Sequence, residues 1–379
     1  MADPKSSRHV EMAKVTAYFS IFTLLVGCGM LGSGRLPDHL SPLSPQPEGQ
    51  WELFWTTVDG SVIQPLTPPL EPGRSLAWSP DGSKLAFISD RDGNGEVYVI
   101  NWDGAGLTRL TFTAAEEDDP EWSPQGDRIL FASDRTGKWE LYIMNSDGTG
   151  QHSLTTTLTE GGESINPSWA PDGSRISYVS NREVNWEIYT MAPDGSQHRR
   201  LTSNPAWDGF CWNEWSPDGR FILFDSNRDG EYQIYIMAAD GTDQRHLTQV
   251  HVPEEGPAWS PDGQKIVFTS RRNGNWEIYL AEANGMKQVR LTQNPARDYN
   301  PFWSPDGKRI AFISDRDGTN EIYLMNPDGS RQQRLTRGMS DKGKDRHRWS
   351  PDGTKIAYVA FTGRDHSSMR SAQKSPSDD

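Results

Sequence analysis

Cysteine is nearly absent from this chain, which has two in 379 residues, Cys28 and Cys211. Two cysteines form at most one disulfide, so a disulfide-rich scaffold is excluded and packing must hold the fold. Basic residues are also scarce, with 38 Lys and Arg against 52 Asp and Glu and a formal net charge of −14. Sequence-independent nucleic-acid binding needs a basic face, so we expect no nucleic-acid partner.

Long apolar runs are scarce too, and the one near the start of the chain has a specific pattern. The run from Val15 to Val26 follows Lys5, Arg8 and Lys14. It is too short to span a bilayer but suits a secretory signal. It ends in Leu-Val-Gly-Cys, which resembles the lipobox of bacterial lipoproteins.

The lipobox resemblance implies that residues 1–27 are removed and that Cys28 is lipidated as the mature N-terminus. It also implies an exported protein that is anchored to a membrane and faces the periplasm or the cell exterior. A plain signal peptide with an incidental cysteine is the alternative. With Cys28 modified, Cys211 has no partner within the chain, and we expect it to be a buried apolar thiol.

Helical periodicity is missing from the remainder, where one unit of sequence repeats instead. Its first signal is Trp-Ser-Pro-Asp-Gly or a near copy, at Trp78, Trp122, Trp169, Trp215, Trp259, Trp303 and Trp349. Successive copies are 44, 47, 46, 44, 44 and 46 residues apart, a period typical of a four-stranded propeller blade.

Two further signals occur seven times each and determine how the ring closes. Glu-Ile-Tyr or a variant marks the third strand of each unit, first at Glu52. Leu-Thr ends the fourth strand of each unit, first at Leu66 and last at Leu335. The first half-unit has only strands three and four, and the last has only strands one and two. We therefore predict an all-β, seven-bladed β-propeller over residues 51–361, closed by a composite blade of both chain ends. Six blades is the alternative if these halves do not pair. Residues 28–50 are expected to be a flexible tether and 362–379 a disordered polar tail.

The motifs Trp-Ser-Pro-Asp-Gly, Ile-Ala-Phe-x-Ser-x-Arg, Glu-Ile-Tyr-x-Met-x-x-Asp-Gly and Leu-Thr together resemble the TolB-type propeller repeat over residues 51–361. The resemblance implies a propeller used outside the cytoplasm, often to bind proteins or peptides. TolB itself has an N-terminal α/β domain, whereas here the predicted anchor and tether stand in that place. We accordingly expect a protein- or peptide-binding scaffold of the cell envelope, acting as a monomer, rather than an enzyme.

Two enzyme classes use related propellers. Peptidases of this kind carry a Gly-x-Ser-x-Gly nucleophile elbow in a second domain, and that motif is absent here. Propeller-type polysaccharide lyases need His and carboxylate side chains that converge on the channel. Only His251 and His347 precede a first strand, and they lie in separate blades. A carbohydrate-binding or lyase-like site at the channel mouth is therefore kept as the alternative function, behind protein binding. We expect no catalytic residue, cofactor or metal ion.

Asp-Arg-Asp-Gly turns, as at 90–93 and 315–318, resemble part of a calcium loop. Equivalent turns lack the second Asp but keep Arg, Gly and Glu, so we predict no calcium site. Instead we predict Arg–Glu pairs across each hairpin, namely Arg91 with Glu96, Arg135 with Glu140 and Arg316 with Glu321.

The least repetitive segments lie between Leu-Thr and the next Trp. In a propeller these connections cross one face at the channel mouth, and loops on a rigid scaffold often carry function. They are acidic with interleaved aromatics, which indicates a site for a basic or cation-bearing partner; solubility alone is the competing explanation. The candidate rim residues are Asp118, Asp119, Glu163, Asp208, Glu254, Glu255, Asp298 and Tyr299.

Overall fold

A computed structural model describes residues 49–67, 74–155, 162–337 and 347–363. Every regular element in these ranges is a β-strand, and the strands form seven four-stranded antiparallel sheets. No helix that could cross a bilayer occurs among these residues. The predictions of a signal peptide and a lipidated Cys28 lie outside the described residues, as do most of the predicted tether and tail. Residues 49–50 and 362–363, which the sequence analysis assigns to the tether and the tail, belong to strands instead, so these two bounds are wrong by two residues.

Seven blades surround the axis, and the strand order is the same from inner to outer strand in each. The composite blade 1 contains β1 (Gly49–Thr57), β2 (Ile63–Pro65), β27 (His347–Trp349) and β28 (Lys355–Gly363). Blade 2 contains β3 (Arg74–Trp78), β4 (Lys84–Ser89), β5 (Glu96–Asn101) and β6 (Thr108–Arg109). Blade 3 contains β7 (Glu117–Trp122), β8 (Arg128–Ser133), β9 (Glu140–Asn145) and β10 (His152–Ser153). Blade 4 contains β11 (Ser164–Trp169), β12 (Ile176–Ser180), β13 (Glu187–Met191) and β14 (Arg199–Arg200).

The other three blades follow the same plan. Blade 5 contains β15 (Asp208–Trp215), β16 (Phe221–Ser226), β17 (Gln233–Ala238) and β18 (Arg245–His246). Blade 6 contains β19 (Glu254–Trp259), β20 (Lys265–Ser270), β21 (Glu277–Glu282) and β22 (Val289–Arg290). Blade 7 contains β23 (Asp298–Trp303), β24 (Ile310–Ser314), β25 (Glu321–Met325) and β26 (Gln333–Arg334).

The ring closes through the composite blade, as the half-units at the two chain ends predict. Strands β1 and β28 pair antiparallel over nine residues, from Gly49 opposite Gly363 to Thr57 opposite Lys355. The sheet order is β2-β1-β28-β27, so each chain end completes the other. The prediction of seven blades is confirmed, and the pairing covers edges that an open ring would expose.

The repeated motifs are explained by local structure and by packing between blades. In the first turn, Ser79 Oγ donates to Asp81 Oδ1 at 2.6 Å, and Gly82 has a φ of +70° that favours glycine. The second-strand Phe131 stacks on the third-strand Tyr142 at 5.7 Å between ring centroids. The Arg135 guanidinium lies 4.2 Å from the Tyr142 ring centroid. Equivalent residues recur in most blades and form the scaffold.

The arginine of each second hairpin does not pair as the sequence analysis predicts. Arg135 and Arg316 bind the first-strand carboxylates Glu117 and Asp298, at 3.1 and 2.9 Å. Each arginine folds back over its own second strand, as shown by Arg135 Nε donating to Ser133 Oγ at 2.9 Å. It therefore reaches the inner strand rather than the third-strand glutamate across the hairpin.

The third-strand glutamates bind fourth-strand arginines instead. Glu96 accepts from Arg109 at 2.6 Å, and Glu321 accepts from Arg334 at 2.9 Å. Arg91 donates to Ser89 Oγ and stacks on Tyr98. The predicted pairs Arg91–Glu96, Arg135–Glu140 and Arg316–Glu321 are therefore wrong.

Candidate binding site at the channel mouth

The inner strands of the blades form the channel wall, and the indole N–H groups of Trp78, Trp215 and Trp349 bind the inner strand of a neighbouring blade. Trp78 Nε1 in blade 2 donates to the Arg348 carbonyl in blade 1 at 3.2 Å. Trp215 Nε1 in blade 5 reaches the Ser168 carbonyl in blade 4 at 3.2 Å. These bonds tie blade 2 to blade 1, blade 5 to blade 4 and blade 1 to blade 7.

Three of the predicted rim carboxylates are not on the surface. Each is the first residue of an inner strand, is fully buried, and binds the arginine of its own blade. The pairs are Asp208 with Arg228 at 2.8 Å, Glu254 with Arg272 at 2.5 Å and Asp298 with Arg316 at 2.9 Å. These carboxylates hold inner strands to hairpins, because a buried carboxylate needs a partner of opposite charge.

The five other rim residues retain contact with solvent. Asp118 and Asp119 are half-buried, and both accept from Ser75 Oγ of blade 2, at 2.7 and 3.1 Å. Asp119 has a φ of +48° and lies at the bulge of β7. The structure thus places this acidic pair at the junction of blades 2 and 3.

Glu163, Glu255 and Tyr299 are likewise half-buried on or beside inner strands. Burial raises the pKa of Glu163, and it raises the pKa of Glu255 to about 8, with the nearby Asp225 carboxylate adding to the shift. The Arg297 guanidinium lies 5.9 Å from the Tyr299 ring centroid. The rim that remains accessible is therefore smaller than the sequence indicates and is divided among several blades.

Blade 5 interrupts the repeat at the channel. Its inner strand β15 has eight residues, whereas β7, β11, β19 and β23 have six each, and its register shifts between Asp208 and Asn213. Asp225 Oδ1 accepts from the backbone N–H groups of Cys211 and Trp212, at 3.0 and 2.7 Å. Burial raises the pKa of Asp225 to about 7. Asp225 lies on β16, the second strand of the blade, and these two hydrogen bonds fix the backbone of the bulge.

Cys211 lies on this bulge and is half-buried. It is disulfide-bonded in this structure, so the expected free buried thiol is wrong. The chain's other cysteine, Cys28, lies outside the described residues.

Three charged side chains that sequence analysis missed converge in the channel. Glu121, Glu214 and Arg348 directly precede the inner-strand tryptophans of blades 3, 5 and 1. Burial raises the pKa of Glu121 to about 8 and that of Glu214 to about 7, and the Arg348 charge opposes both shifts. Each carboxyl therefore lies within electrostatic range of the same guanidinium, although the three residues come from blades that are not adjacent.

An aromatic surface adjoins these charges. The Arg348 guanidinium lies over the Phe302 ring at 4.5 Å from its centroid, and Trp212 from the bulge lies 6.5 Å from Phe302. Trp212 and Phe302 come from blades 5 and 7 and are both half-buried. The arrangement can hold a cation, because aromatic faces and carboxylates both attract positive charge.

The two histidines that precede first strands do not meet. His347 is buried beside Phe302, 5.3 Å between ring centroids, and burial lowers its pKa to about 3. His251 is exposed and lies near His246, 6.3 Å between ring centroids. Within the described ranges, no three His, Cys, Asp or Glu side chains are grouped so that they could hold a metal ion.

One signal in the sequence could have found the charged trio. The position before the repeated tryptophan holds Ala77, Glu121, Ser168, Glu214, Ala258, Phe302 and Arg348 in the seven copies. A scaffold position does not need such different chemistry in equivalent places. Variation at an otherwise regular repeat position therefore indicates residues specific to this protein.

Comparisons with known proteins agree on the fold. A family model described as the TolB beta propeller domain matches residues 71–163, 156–254 and 242–377. No curated protein matches the chain.

Solved structures extend this agreement beyond one family. A protein assigned as TolB from Agrobacterium tumefaciens is 22% identical over 83% of this chain and 99% of that chain, with a TM-score of 0.52. An oligogalacturonate lyase from Vibrio parahaemolyticus is 16% identical over 83% of this chain and 96% of that chain, with a TM-score of 0.64. A puromycin-hydrolyzing peptidase from Mycobacterium tuberculosis is 14% identical with a TM-score of 0.59, over 80% of this chain and 56% of that one. At these identities the likeness concerns the fold alone.

Proposed function

Because the chain belongs to the TolB β-propeller family, we propose that it is a lipid-anchored propeller outside the cytoplasm that captures a protein or peptide of the cell envelope. The observation that carries this proposal is the interruption of the repeat in blade 5. Two extra residues in β15 place Trp212 beside Phe302 in the channel, where a uniform scaffold has no need of them. Departures from a rigid repeat are where a binding function is expected.

The accessible rim supports the same proposal. Asp118, Asp119, Glu163, Glu255 and Tyr299 keep part of their surface in contact with solvent around the channel mouth. Carboxylates with interleaved aromatics suit a partner that carries basic side chains. The buried Asp208, Glu254 and Asp298 act on this surface only by holding its strands in place.

Affinity purification of the full chain from membranes, followed by mass spectrometry, tests capture. In a variant with Asp118→Asn, Glu255→Gln and Tyr299→Phe, we expect recovery of the captured protein to fall by about tenfold, since several contacts are weakened together. Glu231→Gln is the matched control, because Glu231 is an exposed carboxylate in a second hairpin, away from the inner strands. Equal capture by the triple variant and the control contradicts the proposed rim.

The anchor has a separate test. Metabolic labelling with a radioactive fatty acid should mark the protein, and Cys28→Ala should abolish the label and release the chain from membranes. Absence of the label from the unsubstituted protein, or retention of Cys28→Ala on membranes, argues against lipidation of Cys28.

A polysaccharide-processing or carbohydrate-binding propeller is the second candidate, because an oligogalacturonate lyase shares the fold. The charge of the channel disfavours an acidic polymer, since Glu121, Glu214 and Glu255 all belong to its wall. Incubation with polygalacturonate, followed by ultraviolet absorbance of unsaturated products, decides the point. Product formed at a rate proportional to protein concentration supports the lyase, and its absence supports capture.

A further inference from the structure

The three charged residues of the channel, Glu121, Glu214 and Arg348, carry more negative than positive groups. Glu121 and Glu214 supply two carboxyl groups, while Arg348 supplies one guanidinium that opposes the pKa rise of both. Both residues are half-buried and burial raises the pKa of both carboxyls, so bulk water offsets the lack of a second cation only in part. These three groups are one positive charge short of neutrality when both carboxyls are ionised, and the Asp119 carboxylate near Glu121 adds further negative charge.

One oxygen of this group has no hydrogen-bond donor. Glu121 Oε1 accepts from the backbone N–H of Trp169 at 3.3 Å. Glu121 Oε2 is shielded from solvent and has no hydrogen-bond partner. Buried carboxylate oxygens ordinarily accept at least one hydrogen bond, so this atom can accept one from a bound molecule.

The aromatic wall shows how such a donor would be held. Arg348 already packs its guanidinium on Phe302, at 4.5 Å from the ring centroid. Trp212 lies 6.5 Å from Phe302 and is half-buried, so part of its surface is open to a second cation. Its position depends on Asp225, which binds the backbone of the bulge at 2.7 Å.

We infer that the channel binds one lysine or arginine side chain of the captured partner, between Glu121 and Glu214 and beside Trp212. The incoming cation donates to Glu121 Oε2 and balances the second carboxylate, while Arg348 limits the site to a single extra charge. This inference rests on the proposed capture function and adds the chemistry of the partner segment. A metal ion suits the site less well, because the described residues offer no group of three ligands for one.

A displayed dodecapeptide library selected on the immobilised full-length protein tests the inference. We expect the enriched peptides to share a Lys or Arg at one position. In one selected peptide, replacement of that residue by norleucine or citrulline should weaken binding by about tenfold, as expected for the loss of one charge-assisted contact.

Variants of the channel supply the matched test with the same peptide. Glu121→Gln and Glu214→Gln should each weaken binding, and Arg348→Met should strengthen it, because the resident cation no longer competes. A merely structural role of these residues weakens binding in all three variants. Glu282→Gln is the control, since Glu282 lies on a third strand and pairs with Lys287 at 2.5 Å.

The outcomes separate this inference from the proposed function. Enriched peptides without a preferred basic residue overturn the cation site but support capture of peptides. Weaker binding in Arg348→Met also overturns the cation site. If no peptide is enriched and no envelope protein is recovered from membranes, both the inference and the proposed function are wrong.

Discussion

The carboxyl groups of Glu96 and Glu117 face each other across the junction of blades 2 and 3, and the nearby Glu96 raises the pKa of Glu117. Both residues are fully buried. Their outer oxygens bind Arg109 and Arg135, at 2.6 and 3.1 Å. Two buried carboxylates this close repel each other, so folding favours one proton on the pair.

The first prediction concerns this proton. Burial and Glu96 raise the pKa of Glu117 from 4.5 to about 8. The folded state therefore binds more protons than the unfolded chain between these values, and its stability falls as the pH rises through that window, by up to about 1.4 kcal/mol per pH unit. Glu117→Gln keeps a neutral donor at the junction and should remove this part of the pH dependence.

Thermal unfolding across the window measures the effect. The Tm of Glu117→Gln relative to the unsubstituted protein should rise between about pH 5 and about pH 9. The control Glu282→Gln should show a constant difference. A constant difference in the Glu117 variant as well contradicts the shared proton.

The second prediction concerns the arginines that bind buried carboxylates. Arg316→Met removes the partner of Asp298, which is fully buried, and should lower the free energy of unfolding by about 3–5 kcal/mol because a buried charge loses its counter-ion. Lys308→Met breaks an exposed pair with Asp306 and should change it by about 0–1 kcal/mol. Urea unfolding of both variants gives the comparison. Similar small losses for the two pairs mean that Asp298 is not held as described.

The third prediction concerns closure of the ring. Leu53 in β1 is 1% exposed and packs in the core between blades 1 and 2. Leu53→Ala should destabilise the protein by about 2–5 kcal/mol, through lost burial and the cavity left behind. Val289→Ala is the control, because Val289 is 53% exposed on the outer strand of blade 6. Calorimetry that shows no loss for Leu53→Ala contradicts closure through β1.

The fourth prediction concerns the bulge. Val179 and Ile313 occupy the position of Asp225 in blades 4 and 7, each directly after the second-strand aromatic. Asp225→Val should leave the N–H groups of Cys211 and Trp212 without their acceptor, so that the bulge opens more often. Hydrogen exchange measured by mass spectrometry should then speed up in peptides covering 208–215. Peptides covering 298–303 serve as the internal control, and equal protection in both segments shows that Asp225 does not hold the bulge.

The sequence predicts the scaffold well because each blade encodes the same local structure. Trp, Leu-Thr and the third-strand signals recur in register, so the blade number and the composite blade follow from counting, and both predictions are confirmed. The Arg–Glu pairs were wrong for a physical reason. An arginine in a hairpin can bind a carboxylate across that hairpin or one on the adjacent strand of the sheet. Arg135 binds Glu117 on the first strand at 3.1 Å, although Glu140 is nearer in sequence.

The site was harder to predict because its residues come from distant blades. Glu121 and Glu214 are 93 residues apart in sequence, and Arg348 belongs to the composite blade. Only the closed ring brings them to one channel. Nothing in the sequence indicates the burial of three acids. Asp208, Glu254 and Asp298 resemble exposed loop residues in sequence, but each is buried as the first residue of an inner strand. Whether the accessible acids bind a partner stays a prediction.

The pairing of Gly49 with Gly363 has a mechanical consequence. The chain enters and leaves the ring at adjacent points of one blade, so tension between these points loads the β1–β28 hydrogen bonds one after another. Any load applied at residue 49 enters the ring through β1, so the nine-residue ladder with β28 must hold before the other blades carry force. The closure of the ring is therefore weakest against tension between its own two ends.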